Sequence, residues 1–231
     1  MSKKETIAIV LSAGSGSRMN SDIPKQYLEL NGKPVICHTL NAFEESNVDG
    51  IILVCAKEYI EYCKENIVKK YGFKKVLNVI EGGKERYDSV YNGLKECDSK
   101  YVLVHDGARS CVSKEIINRN IDEVINHGAV VTGVKAKDTI KVCNDEGVIM
   151  DTPNRDNLWM VQTPQTFDTS ILINAYEKMM ADGKKNNITD DAMVVEKYGN
   201  IPVVMIEGSY KNIKITTVED MKIAEVFLDK K

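Results

Sequence analysis

Ile7-Ala8-Ile9-Val10-Leu11-Ser12-Ala13-Gly14-Ser15-Gly16-Ser17-Arg18 is the stretch that decides the fold. Its first five residues are apolar without a polar break, so the strand they form has no face for water. A glycine-rich turn follows at once and ends on Arg18, with Lys25 seven residues further on, behind Pro24. Glycines let the backbone approach an anion closely, and successive N–H groups in such a turn converge on phosphate oxygens. Arg18 offers a planar fork and Lys25 a compact charge. The third glycine of a dinucleotide fingerprint is missing after Gly14 and Gly16, and no Gly-Lys-Ser or Gly-Lys-Thr completes a P-loop. The turn therefore reads as a phosphate site of neither kind, built from Ala13, Gly14, Ser15 and Gly16.

Working outward, further β-branched runs lie at 50–55, 76–80, 101–105 and 129–134, with helical patterns between them at 35–43, 58–70, 89–96 and 114–126. Strand and helix alternate, and the strands are apolar on both sides. The expected fold is α/β and Rossmann-like: a mostly parallel sheet with helices on both faces. The alternation breaks after Val134. Short strand-like pieces at 137–142 and 148–152 flank Asn144-Asp145-Glu146-Gly147, which predicts a protruding β-hairpin arm. A lone ribbon is marginally stable, so it must pack on its own domain or on another subunit. The pattern then resumes at 171–180, 190–197, 202–206, 213–216 and 218–228. Thr217 is the expected N-cap of the last helix, with Glu219 and Asp220 in its first turn.

The chain has 231 residues, enough to bury a large core as a single domain with an arm at about 137–158. A net charge of −3 without a block of Lys or Arg argues against nucleic acid as a partner. The six cysteines are scattered with no Cys-x-x-Cys pair and only three histidines, which disfavours a zinc site and suits a reducing compartment. The apolar run after Lys3 and Lys4 is too short for a secretory signal, and no segment is long enough to cross a bilayer, so cytoplasmic residence without a membrane partner is expected.

Other residues could carry chemistry. Asp106 follows the run Tyr101–His105 at a strand end, where ligands gather in open α/β sheets. A carboxylate beside a phosphate site suits Mg²⁺, which is held by one or two carboxylates plus substrate phosphates; the competing reading is a helix cap paired with Arg109. Gly82-Gly83 before Ser89 forms a second glycine turn, either a surface for a base or ribose or simply a strand-to-helix turn. Asp138, Thr139, Lys141 and Arg155 cluster on or after the hairpin, and Thr163 and Thr189-Asp190 add hydroxyls and an acid. Lys214, flanked by isoleucines, points either to solvent or into a cleft where a polyphosphate would meet its charge.

Taken in order, Ala13–Met19, Pro24-Lys25-Gln26-Tyr27, Gly82-Gly83, Arg86 with Ser89, His105-Asp106, Ala108-Arg109, Asp138–Lys141, Gln162–Gln165, Thr189-Asp190 and Asn212-Ile213-Lys214 resemble the 2-C-methyl-D-erythritol 4-phosphate cytidylyltransferases. The resemblance runs over residues 7–227 and is closer than that to the ribitol-5-phosphate cytidylyltransferases. It implies transfer of a cytidylyl group from CTP to a polyol phosphate, with release of pyrophosphate, a divalent cation (Mg²⁺) and a homodimer. It also implies roles. Arg18 and Lys25 stabilise the pentavalent α-phosphate, Arg155 and Lys214 position the reacting phosphates, and Asp106 goes with the metal. Gly82, Gly83 and Ser89 match the cytidine side, while Arg109, Thr139, Thr163 and Thr189 match positions around the acceptor. The hairpin matches an arm exchanged between subunits, carrying Thr139 and Arg155 to the neighbour. Gly107 and Ser110 stand where the family usually has Ala and Pro, which bears on how Arg109 is held, and Ser12 stands where Pro is more usual. A CTP-binding module without turnover, and a nicotinamide-dependent oxidoreductase, are the readings from other classes.

Overall fold

The computed structural model describes residues 4–14, 23–183 and 188–229. The opening stretch is strand β1 (Lys4–Ser12), and Ile7, Ala8, Ile9 and Val10 on it are buried. It lies inside a seven-stranded sheet. On one side β1 pairs in parallel with β4 (Gly50–Cys55), which pairs in parallel with β5 (Val76–Glu81). On the other it pairs in parallel with β6 (Ser99–Asp106). The chain thus builds outward from β1 in one direction and then crosses to its other side. Such a switch point opens a crevice at the carboxyl ends of the strands.

Alternate residues of these strands feed two separate cores, as a strand's two faces require. Ala8, Val10, Ile51, Leu53 and Leu103 pack beneath helices α1 (Val35–Glu44) and α4 (Lys114–His127). A π-helical segment, Cys63–Lys69, continues from the one-turn helix α2 (Ile60–Tyr62) and covers the same face. Ile7, Ile9, Ile52, Val54, Val102 and Val104 face α3 (Arg86–Lys95), α5 (Thr169–Asp182) and α6 (Asp191–Tyr198). The expected mostly parallel sheet with helices on both faces is what the chain forms.

Within the seven-stranded sheet the expectation missed one strand. β10 (Trp159–Asp168) lies between β6 and β7 (Ala129–Lys135) and is antiparallel to both, while β11 (Val204–Glu207) extends β7 in parallel. β10 contains Pro164 and the buried polar residues Gln162, Thr163, Gln165 and Thr166, so no apolar run marks it. The register shifts between Val161 and Gln165, a bulge that accommodates the proline and turns polar side chains toward the crevice. The stretch 213–216, expected as a strand, is irregular; Ile215 N–H donates to Ala108 O and its side chain is fully buried beside α7 (Val218–Leu228). Thr217 caps α7 as expected, accepting from Asp220 N–H.

The hairpin forms, though shorter than expected. β8 (Val142–Cys143) pairs only with β9 (Ile149–Asp151), around a turn in which Asn144 Oδ1 accepts from Glu146 and Val148 N–H. The two-residue strands β2 (Glu29–Leu30) and β3 (Lys33–Pro34) make another small hairpin before α1. Residues 137–152 are exposed throughout. Of the cysteines, five are buried, none of the six is in a disulfide, and Cys143 on the arm is exposed.

Candidate active site

Three strand ends meet at the crevice. β1 ends at Ser12 beside β6, with Leu11 in register with Asp106, and Glu81 of β5 leads into Gly82-Gly83. The turns after β1 and β5 touch: a Cβ on Gly82 would sit 2.6 Å from Ala13 Cβ and 2.9 Å from Ser89 Oγ. Ser89, at the start of α3, accepts from Gly83 N–H at 3.0 Å and donates to Glu85 O at 3.3 Å, so it staples the second glycine turn to its helix. Gln26 does the same for the first turn. Its buried side-chain amide donates to Ser12 O (2.7 Å) and Gly14 O (2.9 Å), drawing both carbonyls away from the crevice.

The crevice holds two cavities. One, of about 330 Å³, is lined by Ala13, Gly14, Lys25, Gly83, Arg86, Ser89, Asp106 and Lys214. The other, of about 200 Å³, is lined by Arg86, Asp106, Arg109, Thr163, Thr189 and Lys214. Arg86, Asp106 and Lys214 form the wall common to both. Residues from distant parts of the chain therefore converge as expected. Thr139 and Arg155 do not join them in this chain: both are exposed on the arm side, and Arg155 donates to Lys137 O at 3.0 Å. Ser15, Gly16 and Arg18 lie outside the described residues.

The wall is a network of charges. Asp106 Oδ2 receives Lys214 Nζ at 2.8 Å and faces Arg109 Nε at 3.9 Å, while Oδ1 receives Arg86 Nε at 3.2 Å. Arg86 also grips Asp191 with both terminal nitrogens, at 3.1 and 2.8 Å. Asp191, fully buried, accepts a further bond from Tyr176 Oη at 2.6 Å. Burial alone would raise the Asp106 carboxyl, but Arg86, Lys214 and Arg109 outweigh it and hold it well below the usual carboxylate range. Burial works against the Arg86 charge too, and the Asp191 and Asp106 carboxylates overcome it, so Arg86 stays protonated. For Arg109 burial wins, and its affinity for the proton is lowered.

Behind the wall, His105 is fully buried, and burial pushes its imidazolium down to about 3. Arg109 O can only accept, so His105 Nε2 carries the hydrogen (3.4 Å) and Nδ1 accepts from Thr163 Oγ1 (3.0 Å). Thr163 Oγ1 in turn accepts from Asp106 N–H at 3.1 Å, so the bulge of β10 fixes the end of β6. Asp106 is not a helix cap, and its nearest cations are Lys214 and Arg86 rather than Arg109. Lys214 reaches Asp106 at the crevice, with its side chain still 41% exposed.

The sequence departures have local causes. Gly107 lies so close to the fold that an added Cβ would be 2.7 Å from both Ile36 Cδ1 and Leu11 O. Arg109 is held by Asn212 O (2.8 Å) and Val161 O (3.4 Å), contacts that do not depend on the residue at 110. Ser12 places its hydroxyl 3.5 Å from Tyr27 Oη.

A divalent cation fits this donor set in one way. Among the described residues no group of three or more His, Cys, Asp or Glu could cage a metal. Asp106 is the carboxylate common to both cavities, with Glu85 lining the larger and Asp190 the smaller, and one carboxylate at that boundary suits Mg²⁺ that brings most of its ligands as phosphate oxygens and water.

Comparison with known proteins agrees with this geometry. Residues 6–230 match the family described as IspD: 2-C-methyl-D-erythritol 4-phosphate cytidylyltransferase. The chain belongs to that family. A Lachnospira eligens protein named 2-C-methyl-D-erythritol 4-phosphate cytidylyltransferase is 51% identical over 223 residues, covering 96% of this chain and 98% of its own length. One of the same name from Clostridium botulinum is 46% identical over 233 residues, covering 100% and 99%. A crystal structure of 4-diphosphocytidyl-2C-methyl-D-erythritol synthase from Anaerococcus prevotii superposes with a TM-score of 0.85 at 35% identity, covering 98% of this chain and 96% of that one. The Francisella tularensis member superposes with a TM-score of 0.80 at 32% identity, covering 96% and 99%.

Several supports of the site carry no assigned role in the sequence. Arg86 opens α3, where a cation meets the unfavourable end of the helix dipole; that misplacement was a legible hint that carboxylates wait for it. Asp190 and Asp191 are adjacent acids with different tasks: Asp190 caps α6, accepting from Met193 N–H, and Asp191 binds Arg86. Gln165 ties the bulge to α6, accepting from Asp191 and Ala192 N–H and donating to Asp190 Oδ2. Nothing in the local sequence separates these tasks.

Proposed function

We propose that this chain joins CTP and 2-C-methyl-D-erythritol 4-phosphate to give 4-CDP-2-C-methyl-D-erythritol and pyrophosphate, a step of non-mevalonate isoprenoid synthesis. The observation that carries the reading is the wall of Arg86, Asp106 and Lys214 between two adjoining cavities. It gives two anions separate berths with cations at their common boundary. The triphosphate and cytidine take the larger cavity, against Ala13, Gly14, Lys25, Gly83 and Ser89. The acceptor phosphate takes the smaller one, against Arg109, Thr163 and Thr189.

An acceptor phosphate oxygen attacks the α-phosphorus in line, the new P–O bond forms, and the bond to the β-phosphate bridging oxygen breaks. A phosphate monoester is already anionic near neutral pH, so no general base is needed. His105, buried and neutral, is not placed to serve as one. Lys25, Lys214 and Arg18 hold the reactants together and neutralise charge that develops on the equatorial and leaving oxygens. Mg²⁺ held by Asp106 would add electrophilic stabilisation of the phosphates.

The working unit is a homodimer in which the arm, at about 137–158, crosses to the neighbouring subunit and brings Thr139 and Arg155 to its site. Ile140, Val142, Val148, Ile149 and Met150 on the arm are 42–66% exposed, an apolar surface that calls for cover. Among the described residues no helix is long and apolar enough to cross a membrane, and five buried cysteines outside any disulfide suit the reducing cytoplasm.

The deciding experiment measures pyrophosphate release from CTP with 2-C-methyl-D-erythritol 4-phosphate or ribitol 5-phosphate, with and without Mg²⁺. Release with the methylerythritol acceptor, dependent on the metal, is expected. Faster release with ribitol 5-phosphate would reassign the acceptor, and CTP binding without release would reduce the protein to a nucleotide-binding module.

A further inference from the structure

Asp106 is ringed by positive charge as it stands. Two guanidinium groups and an ammonium surround its carboxylate, and the ammonium of Lys214 sits 2.8 Å from Oδ2. A divalent cation bonds a carboxylate oxygen at about 2.0–2.1 Å. On Oδ2 it would stand directly beside the ammonium, and the repulsion between the two cations disfavours their sharing that oxygen.

The three cations are not equally free to leave. Arg86 is locked by its bidentate pair with the fully buried Asp191, itself fixed by Tyr176. Arg109 is anchored on Asn212 O and Val161 O, and its side chain is 12% exposed. Lys214 has a flexible stem and a side chain 41% exposed, and among the described residues it makes no second ion pair. Its backbone is held, since Ile215 N–H bonds Ala108 O and the Ile215 side chain is buried. Any departure is therefore a swing of the side chain alone, and both cavities lie within that swing because Lys214 lines each of them.

We propose that Lys214 is a resident counter-ion: in the ligand-free protein its ammonium occupies the position on Asp106 that a divalent cation takes when it arrives with the triphosphate. Loading exchanges one cation for the other on Asp106, and the released ammonium moves to the phosphate oxygens. Asp106 is never left as a bare buried carboxylate, and Lys214 reaches the phosphates only when the metal is in place. The protein by itself therefore binds a divalent ion weakly. This inference rests on the functional reading above.

The test is Mn²⁺ binding followed by electron paramagnetic resonance, with no nucleotide present, in the full chain. The variants are Lys214→Met, Lys214→Gln, and Lys214→Met combined with Asp106→Asn, each checked for its fold by circular dichroism. Removing the competing ammonium should tighten Mn²⁺ binding by about tenfold or more in both single variants. The added Asp106→Asn change should abolish the gain. Equal affinity in the wild type and the single variants, or a gain that survives Asp106→Asn, would overturn the proposal. Pyrophosphate release by the wild type is a separate readout, so a failure of the exchange and a failure of the assigned reaction are told apart.

Discussion

Lys25 and Gln26 are neighbours with opposite tasks. Both line the larger cavity, but Gln26 is buried and ties down the carbonyls of Ser12 and Gly14. The cation's contribution belongs to the transition state, where charge accumulates on the phosphates. Replacing Lys25 by Ala should lower kcat by ~10²–10³-fold with a smaller change in KM. Steady-state kinetics check this, and near-normal turnover would refute the role. At this scale the sequence reading reached several of the charged residues that line the crevice, though not Arg86. Lys25, Asp106, Arg109 and Lys214 all lie at the crevice. Residues that act by holding others stayed out of its reach: Gln26, Gln165 and Asp191 serve through partners 12 to 105 positions away, and no local pattern records such distances.

Among the elements, β1 and β4 were plain because burial on both faces leaves an uninterrupted apolar run. β10 was opaque because its buried polar side chains are satisfied by partners from elsewhere, such as Asn120, which accepts from Thr166 Oγ1. The contact between the turns after β1 and β5 makes Gly82 a matter of space. Gly82→Ala forces Ala13 or Ser89 aside, an overpacking that costs about 1–3 kcal/mol and should appear as a raised KM for CTP. An unchanged KM would show that the turns can part without loss. The arm makes its own prediction. Ile149→Asp puts a charge on a residue 57% exposed, so the subunit should keep its fold, as circular dichroism would show. Analytical ultracentrifugation should show the dimer shifted toward monomer, with turnover falling alongside; a dimer of undiminished strength would exclude the arm from the interface.

For the molecule as a whole, the site's electrostatics set its response to acid. His105 is pushed from 6.5 down to about 3, so below about pH 6.5 the unfolded chain binds a proton that the folded chain refuses. Stability from this group is therefore complete above pH 6.5 and drains away as the pH falls toward 3. Asp106, held below its ordinary 3.8, adds a second loss that begins only under that value. Melting temperatures should decline from pH 6.5 to 4.5, and His105→Gln should flatten this part of the curve. A wild-type melting temperature level across that interval would contradict a neutral buried imidazole. The overall architecture was legible because alternating apolar strands and amphipathic helices leave few ways to pack. The wall between the cavities was not, because Arg86, Asp106 and Lys214 meet only once the sheet has crossed over β1.

The uneven placement of sulfur has a practical side. Five thiols are shut inside the two cores and around α7, and Cys143 stands alone in the open near the tip of the arm. A maleimide added to the native protein should find one target, and the same reagent in guanidinium should find all six. The chain thus comes with a ready-made attachment point for a fluorophore or spin label at the place whose movement is worth watching, and no native residue has to be changed to use it.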